Sequence, residues 1–261
     1  MDSKEVRLKT LITIAHQDDE FFIASRISYE LSQGHQFDIV YMTNGDGDGS
    51  IASLREAESI SALNFLGILP SQIHFLGTEF NFSDGNLFKM MPVAFIKLCE
   101  KLNGQHFDQV YLPAWEGGHP DHDACHLIGV RFAQQNSIST VREFSLYNGF
   151  QTKYLRVSCL IPRAGGALIC RTLTLKEAFA AFALIRFYKS QLKTWFALAL
   201  PAAISILFLR RECLREVIIN DCSSRPHPGP LLYEKAFRVT YPDLESEARH
   251  FNDSMSEIQL K

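Results

Sequence analysis

The sequence predicts an α/β fold with a mainly parallel central sheet, and three observations carry that expectation. Short apolar runs rich in β-branched residues alternate with longer helix-compatible segments in the N-terminal part, the order of right-handed strand-helix-strand crossovers. Two of these runs, Leu11 to Ile14 and Gln109 to Pro113, each lead into a cluster of histidines and acids and then open a helix. Chemistry in open α/β sheets gathers at strand ends of this kind. The 261 residues are 46% hydrophobic, ample for a buried core, and are taken as one domain over 1–261 with a helical and extended C-terminal part from about 174.

The elements follow in order. Leu11 to Ile14 is a buried strand, and a helix opens at Phe21, runs to about Ser32 and stops at Gly34. Phe37 to Thr43 is the second strand, and Ser53 to Leu66 a helix ended by Gly67, with Pro70 barring its continuation. Ile73 to Leu76 makes a third short strand, Asn81 to Asn86 a turn, 91–103 an amphipathic helix, Gln109 to Ala114 a strand and Asp121 to Asn136 a helix. Arg142 to Tyr147 and Tyr154 to Ile161 are further strands with Asn148-Gly149 as the turn signal between them. Lys176 to Ser190 is helical, Leu231 to Val239 a strand, and a polar helix follows Pro242.

Chemistry is written in the two strand-end motifs. In Ala15-His16-Gln17-Asp18-Asp19-Glu20, a first helical turn puts His16 and Asp19 on one face at i, i+3, while Asp18 points elsewhere. Taken alone, the acidic run is equally well explained as helix capping. The second motif, Trp115-Glu116-Gly117-Gly118-His119-Pro120-Asp121-His122-Asp123, has the same setting about a hundred residues later. If both strands lie in one parallel sheet, His122 completes a His16/Asp19/His122 set that leaves a position open for water, the pattern of a catalytic zinc site. Asp18 is then the candidate base, and His119 the group that stabilises an oxyanion or protonates a leaving amine. Asp121 fixes the tautomer of a neighbouring histidine. One divalent ion per chain is expected, zinc or another divalent metal.

Ala-His-x-Asp-Asp-Glu at 15–20 and Gly-His-Pro-Asp-His at 118–122 resemble the LmbE-like family, which includes the N-acetylglucosaminyl-phosphatidylinositol de-N-acetylases (PIG-L) and bacterial thiol-glycoside deacetylases. Arg55-Glu56-Ala57, Leu66-Gly67, Asp84-Gly85 and Tyr188-Lys189-Ser190-Gln191 extend the resemblance over about residues 8 to 191. It implies a Rossmann-like three-layer sandwich, the same roles for Asp18 and His119, and acetate release from an N-acetylated amino sugar. It also implies that Asp84 faces sugar hydroxyls; an Asp-Gly turn without a ligand is the alternative. Gln17 departs from the family, which usually has proline there, so the stiffness of the turn presenting His16 and Asp19 is the point at issue.

Other features admit two readings or exclude a class. Asn44 to Ile51 looks like a calcium loop but has Arg55 where a bidentate Glu belongs, so it is read as a glycine-rich strand-to-helix loop. Arg55 reaches a substrate hydroxyl or phosphate, or else lies on a solvated helix face beside Glu56. With 26 basic and 29 acidic residues and a formal charge of -3, no broad basic surface for nucleic acid is expected. The six cysteines, without Cys-x-x-Cys spacing, read as core thiols of a reducing compartment, with Cys125 a packing residue in preference to a ligand. The polar N-terminal stretch lacks the apolar core of a secretory signal, and a cytoplasmic location is expected. His227 reads as a surface histidine sooner than a site residue.

Residues 194–209 carry no charge and have Pro201 in their middle. Sixteen helical residues span only about 24 Å against roughly 30 Å of hydrocarbon, so a core helix broken at Pro201 is preferred to a transmembrane span. Peripheral membrane or partner contact through 194–209 is the second reading. The apolar stretch, with the polar groups of the 44–50 loop, Arg55 and Asp84, favours an N-acetylglucosamine-type group on a larger acceptor such as a glycolipid or polysaccharide precursor. The rivals are a metal-dependent hydrolase of another amide or ester, and a non-catalytic metal- or sugar-binding module, which would have no use for Asp18 and His119.

Overall fold

In the computed structural model of the protein, residues 7–150, 152, 157–162, 167–217 and 224–259 are described. Strand β1 (Lys9–Ile14) passes through a 3-10 turn (Asp19–Ile23) into α1 (Ala24–Ser32). Then come β2 (Gln36–Tyr41), α2 (Ala52–Leu66), β3 (Ile73–Phe75), α3 (Leu76–Phe80) and α4 (Met91–Lys101). They are followed by β4 (Gln109–Pro113), α5 (Pro120–Gln135), β5 (Thr140–Phe144) and the short strands β6 (Tyr147–Asn148) and β7 (Ser158–Cys159). The C-terminal part holds β8 (Leu168–Thr172), α6 (Leu175–Phe182), α7 (Leu192–Ala203) with a π-helical extension (Ile204–Leu209), β9 (Arg211–Glu216), α8 (Leu232–Ala236) and α9 (Tyr241–Gln259).

Seven strands form one sheet in the order β3-β2-β1-β4-β5-β9-β8. The first five are parallel, and β9 and β8 add antiparallel. Alternation along the buried strands divides the core: Leu11, Val40, Val110 and Leu112 face α4, α5 and α9, whereas Ile12, Ile14, Ile39 and Tyr111 face α1, α2, α6 and α7. The result is the expected three-layer, Rossmann-like sandwich. Between β1 and β4 the strand order reverses, and ligands in such sheets bind outside the carboxyl ends at that switch point. Register Leu11 to Val110 and Ile12 to Tyr111 brings the two polar motifs side by side.

Several expectations are corrected by the structure. The segment from Leu231 to Val239 is not a strand; Leu232–Ala236 is helical, because Glu234 accepts the backbone N–H of Leu231 (2.8 Å) and closes a helix start. Pro201 does not break its helix, which continues through Ala203 and then widens into a π turn. The buried faces of Trp195, Leu198, Ala202 and Ile206 hold the chain across the missing N–H. Lys176 to Ser190 is α-helical only to Phe182 and then tightens into 3-10 turns. Asn148-Gly149 is no two-residue hairpin turn: Tyr147 pairs with Cys159, and part of the intervening segment, including 154–156 of the expected strand, lies outside the described residues.

Cys170 and Cys213 face each other across β8 and β9 and form a disulfide, so they are not the free thiols expected; Cys99, Cys125 and Cys159 are free, and Cys222 lies outside the described residues. His227 is buried, its ring against Phe150, instead of lying at the surface.

Strand β9, Arg-Glu-Cys-Leu-Arg-Glu, was not anticipated, because its buried positions include charges. Glu212 is held by Arg26 of α1 and Arg171 of β8, and Arg215 by Glu143 of β5. Without Arg215, Glu143 would keep only the Trp115 N–H (3.3 Å) and His126 (3.4 Å) in a dry interior. Arg215→Ala is therefore expected to cost about 3–5 kcal/mol in unfolding free energy, read by urea denaturation with wild type alongside; a change below about 1 kcal/mol, as for a surface ion pair, would count against this account.

Candidate active site

His16 and Asp19 share a tight turn in place of the helix face expected from spacing: the Asp19 N–H donates to the His16 carbonyl (3.2 Å), and the His16 N–H to Asp19 Oδ2 (2.7 Å). Asp18 sits at the apex with φ 119°. A non-glycine residue held there costs about 1–3 kcal/mol, strain that the surroundings must hold in place. They do so without the usual proline. The Gln17 side chain donates to the Thr43 carbonyl (3.2 Å), and the Gln17 carbonyl accepts from Arg55 (2.9 Å) and from Gln191. Gly45 is needed in this corner, since a Cβ on it would lie 1.9 Å from Gln17 Oε1.

The second motif enters α5 with His119 as its N-cap: His119 Nδ1 accepts the Asp121 N–H (3.2 Å). Its proton therefore resides on Nε2, which faces Asp84 Oδ1 at 3.6 Å. Asp121 accepts the N–H groups of Gly85 (2.6 Å) and Leu87 (2.9 Å) and lies 3.3 Å from His16 Nε2. One carboxylate thus stands within hydrogen-bond reach of His16 and ties the 84–87 turn to the site.

His16 Nδ1 stands 3.2 Å from His122 Nε2 and 3.5 Å from Asp19 Oδ2, and His122 Nε2 is 3.2 Å from Asp19 Oδ1. Metal-ligand bonds of about 2.0–2.1 Å at tetrahedral angles set donors about 3.3 Å apart. Two imidazole nitrogens and a carboxylate converging at this spacing fit one divalent ion, and His16 Nε2 is left to donate to Asp121 and Asp84. A second set, His16, Asp84, His119 and Asp121, also lies within 4.8 Å. Asp121, however, is already occupied by two backbone N–H groups.

Electrostatics agree with a cation. Burial alone would lower the His16 imidazole, yet Asp84, Asp121 and Asp19 outweigh it and raise it well above its ordinary value. Burial likewise works to raise Asp19 and Asp84; the histidines dominate and hold Asp19 far below the carboxylate range, and His16 holds Asp84 there. Asp18 goes the other way, raised by burial and by Asp19 despite Arg55. His119 is depressed by burial, then by His16 and His122, which leaves a neutral imidazole.

The structure brings all the candidates together at the switch point. Arg55 folds back onto the Gln17–Asp18 turn, bonding the Gln17 and Gly45 carbonyls and Gln191 through its two terminal nitrogens and lying 3.8 Å from Asp18. Asp84 keeps a partly open side chain between His16 and His119. Sequence reasoning missed Glu116, which is buried and accepts from Ser145 (2.6 Å), the Leu146 N–H (2.7 Å) and Asn148 (2.8 Å). That anchor puts Tyr147 edge-on to His122, ring centroids 5.3 Å apart. Gly118 lets the Tyr147 carbonyl pass, 2.1 Å from where a Cβ would stand. Phe237, also missed, meets His119 edge-on at 4.3 Å. A buried acid inside the motif was the available signal for Glu116; Tyr147 and Phe237 had none.

Residues 11–133 match the family model of the GlcNAc-PI de-N-acetylases (PIG-L). The resemblance read in the motifs is thereby shown, and with it a hydrolytic N-deacetylase. The solved structure of the A40926 pseudoaglycone deacetylase aligns over 85% of this chain and 99% of its own, at 14% identity and TM-score 0.62. N,N'-diacetylchitobiose deacetylase from Pyrococcus horikoshii aligns over 80% and 83%, at 18% and 0.54. The zinc-inhibited form of teicoplanin deacetylase aligns over 81% and 99%, at 13% and 0.55. Identities this low establish a shared LmbE-like fold. The sequence matches no curated protein.

His16→Ala is expected to abolish stoichiometric divalent-metal binding, whereas Asp121→Asn should weaken it by about 10–100-fold with the fold retained. Chelator competition and metal analysis of the purified variants measure both. Full occupancy in His16→Ala would remove this constellation as the metal centre.

Proposed function

Given the family match over residues 11–133, we propose that the chain is a zinc-dependent deacetylase of an N-acetylglucosamine-type sugar carried on a larger acceptor, a glycolipid or polysaccharide precursor. The observation that carries the proposal is the convergence of His16, Asp19 and His122 at donor spacings of 3.2 to 3.5 Å, with Asp18 and His119 beside them and not required as ligands. The neighbours that are an N,N'-diacetylchitobiose deacetylase, an A40926 pseudoaglycone deacetylase and a deacetylase of teicoplanin biosynthesis support a sugar-bearing substrate.

When bound, a divalent ion supplies Lewis acidity and a nucleophile at neutral pH. The residues do the rest. Asp18, raised by burial and by Asp19, is suited to take the proton of the attacking water. Arg55 and Gln191 hold its turn through the Gln17 carbonyl, so the base does not swing away. His119, neutral and with its proton on Nε2, donates to the oxygen that gains charge at the acetyl carbon and can pass that proton to the departing amine. Asp84 is the proposed contact for sugar hydroxyls. Arg55, expected as a second substrate contact, is proposed instead as the residue that positions Asp18.

A cytoplasmic site of action is part of the proposal. A Cys170–Cys213 disulfide that persists in cells, read by thiol labelling before lysis, would place the protein in an oxidising compartment instead.

Asp18→Ala and His119→Ala should keep metal and fold while losing about a hundredfold or more in turnover. Near-normal turnover in both would point to a different constellation, and metal loss in Asp18→Ala would exchange the ligand and base assignments. Acetate release from free, nucleotide-linked, lipid-linked and thiol-conjugated N-acetylhexosamines tests the substrate. Preference for the lipid-linked compound is expected; equal hydrolysis of the free sugar would discard the larger acceptor.

A further inference from the structure

We propose that the outward face of the helical segment Lys189 to Leu209, with the adjoining face of α6, docks the protein peripherally on an anionic membrane. The inference does not rest on the deacetylase reading. The 21-residue segment is apolar enough for a bilayer by composition. One side packs inward through Trp195, Leu198, Pro201, Ala202, Ser205 and Ile206. The other stands in solvent: Phe196 is 92% exposed and Phe208 78%, with Leu192, Leu200 and Leu209 each more than half exposed. Helix α6 packs against the π-helical extension and adds exposed Leu175 and Phe179. Soluble proteins seldom leave so many large apolar side chains contiguous without a partner.

Charge selects the occupant. Residues 178–211 contain Arg186, Lys189, Lys193, Arg210 and Arg211 and no Asp or Glu, in a chain whose formal charge is -3. Arg186, Lys189, Lys193 and Arg211 are exposed. Apolar side chains bordered by cations match a surface of acidic headgroups over acyl chains. A two-fold pairing of this face with a second copy would set the cations of one protomer against those of the other. Insertion across the bilayer is opposed by the inward side: Trp195 is packed against Phe21, Phe22 and Tyr188, and Ser205 donates to the Cys159 carbonyl (2.6 Å). Removing the helix from the body would open the core beneath the catalytic turn. Gln191, immediately before α7, bonds the Gln17 carbonyl, so the docking face begins beside the turn that carries Asp18.

The experiment is vesicle flotation of the full chain with phosphatidylcholine alone and with phosphatidylcholine plus phosphatidylglycerol. Wild type should float with the anionic vesicles, at least about tenfold more weakly with the neutral ones and more weakly as salt rises. Phe196→Ser with Phe208→Ser, and separately Lys189→Glu with Lys193→Glu, should each lower anionic binding by about tenfold or more. Circular dichroism checks their folding, and the salt titration of wild type stands whether or not a variant folds. Absence of flotation, or unchanged binding by folded variants, would overturn the proposal. So would a wild-type dimer that Phe196→Ser with Phe208→Ser dissolves, which would make a second copy the occupant, or retention in membranes through alkaline carbonate washing, which would make the segment a span. None of these readouts uses activity, so they stand apart from any failure of the deacetylase reading.

Discussion

The pairing of β1 with β4 is the contact on which the site depends. Their parallel register, Leu11 to Val110 and Ile12 to Tyr111, joins segments a hundred residues apart and delivers His16, Asp19 and His122 to one point. Neither motif alone holds the His16/Asp19/His122 set, since the first supplies two of its members and the second one. The closure entropy of so long a loop grows only slowly with its length. The cost of holding the motifs together is therefore borne by the two-sided core around the strands, not by the polar groups themselves.

Rigidity at the His16–Asp19 turn comes from tertiary bonds in place of covalent restraint. A proline at 17 would lock φ locally. Here the Gln17 side chain reaches Thr43, and its carbonyl is clamped by Arg55 from α2 and Gln191 from the C-terminal part. The strained Asp18 backbone is thus held by two elements distant in sequence. Dependence of the turn on Gln191 makes the C-terminal part more than a cover: its position bears on how firmly the turn carrying Asp18 is held.

The C-terminal part joins the sheet through charge. Strands β9 and β8 extend it by burying Glu212 between Arg26 and Arg171, and Arg215 on Glu143. Such pairs are costly to desolvate and costly to break, so they define the register of a strand that hydrophobicity alone would not specify. A helical segment apolar on all sides then packs one face beneath the site and leaves the other open.

By itself the sequence determined the parallel α/β core and the two strand-end motifs that the fold brings together. Short apolar runs rich in β-branched residues, glycine stops and histidine-carboxylate spacing are local signals, readable without a partner. What only the tertiary structure decided were matters of long-range satisfaction. Arg55 turned toward the Gln17 carbonyl, Glu116 became the anchor of Tyr147, the charged β9 entered the sheet, and 232–236 coiled where a strand was expected. In each case the local sequence permits more than one conformation, and the choice falls to the arrangement that leaves the fewest buried polar groups unpaired.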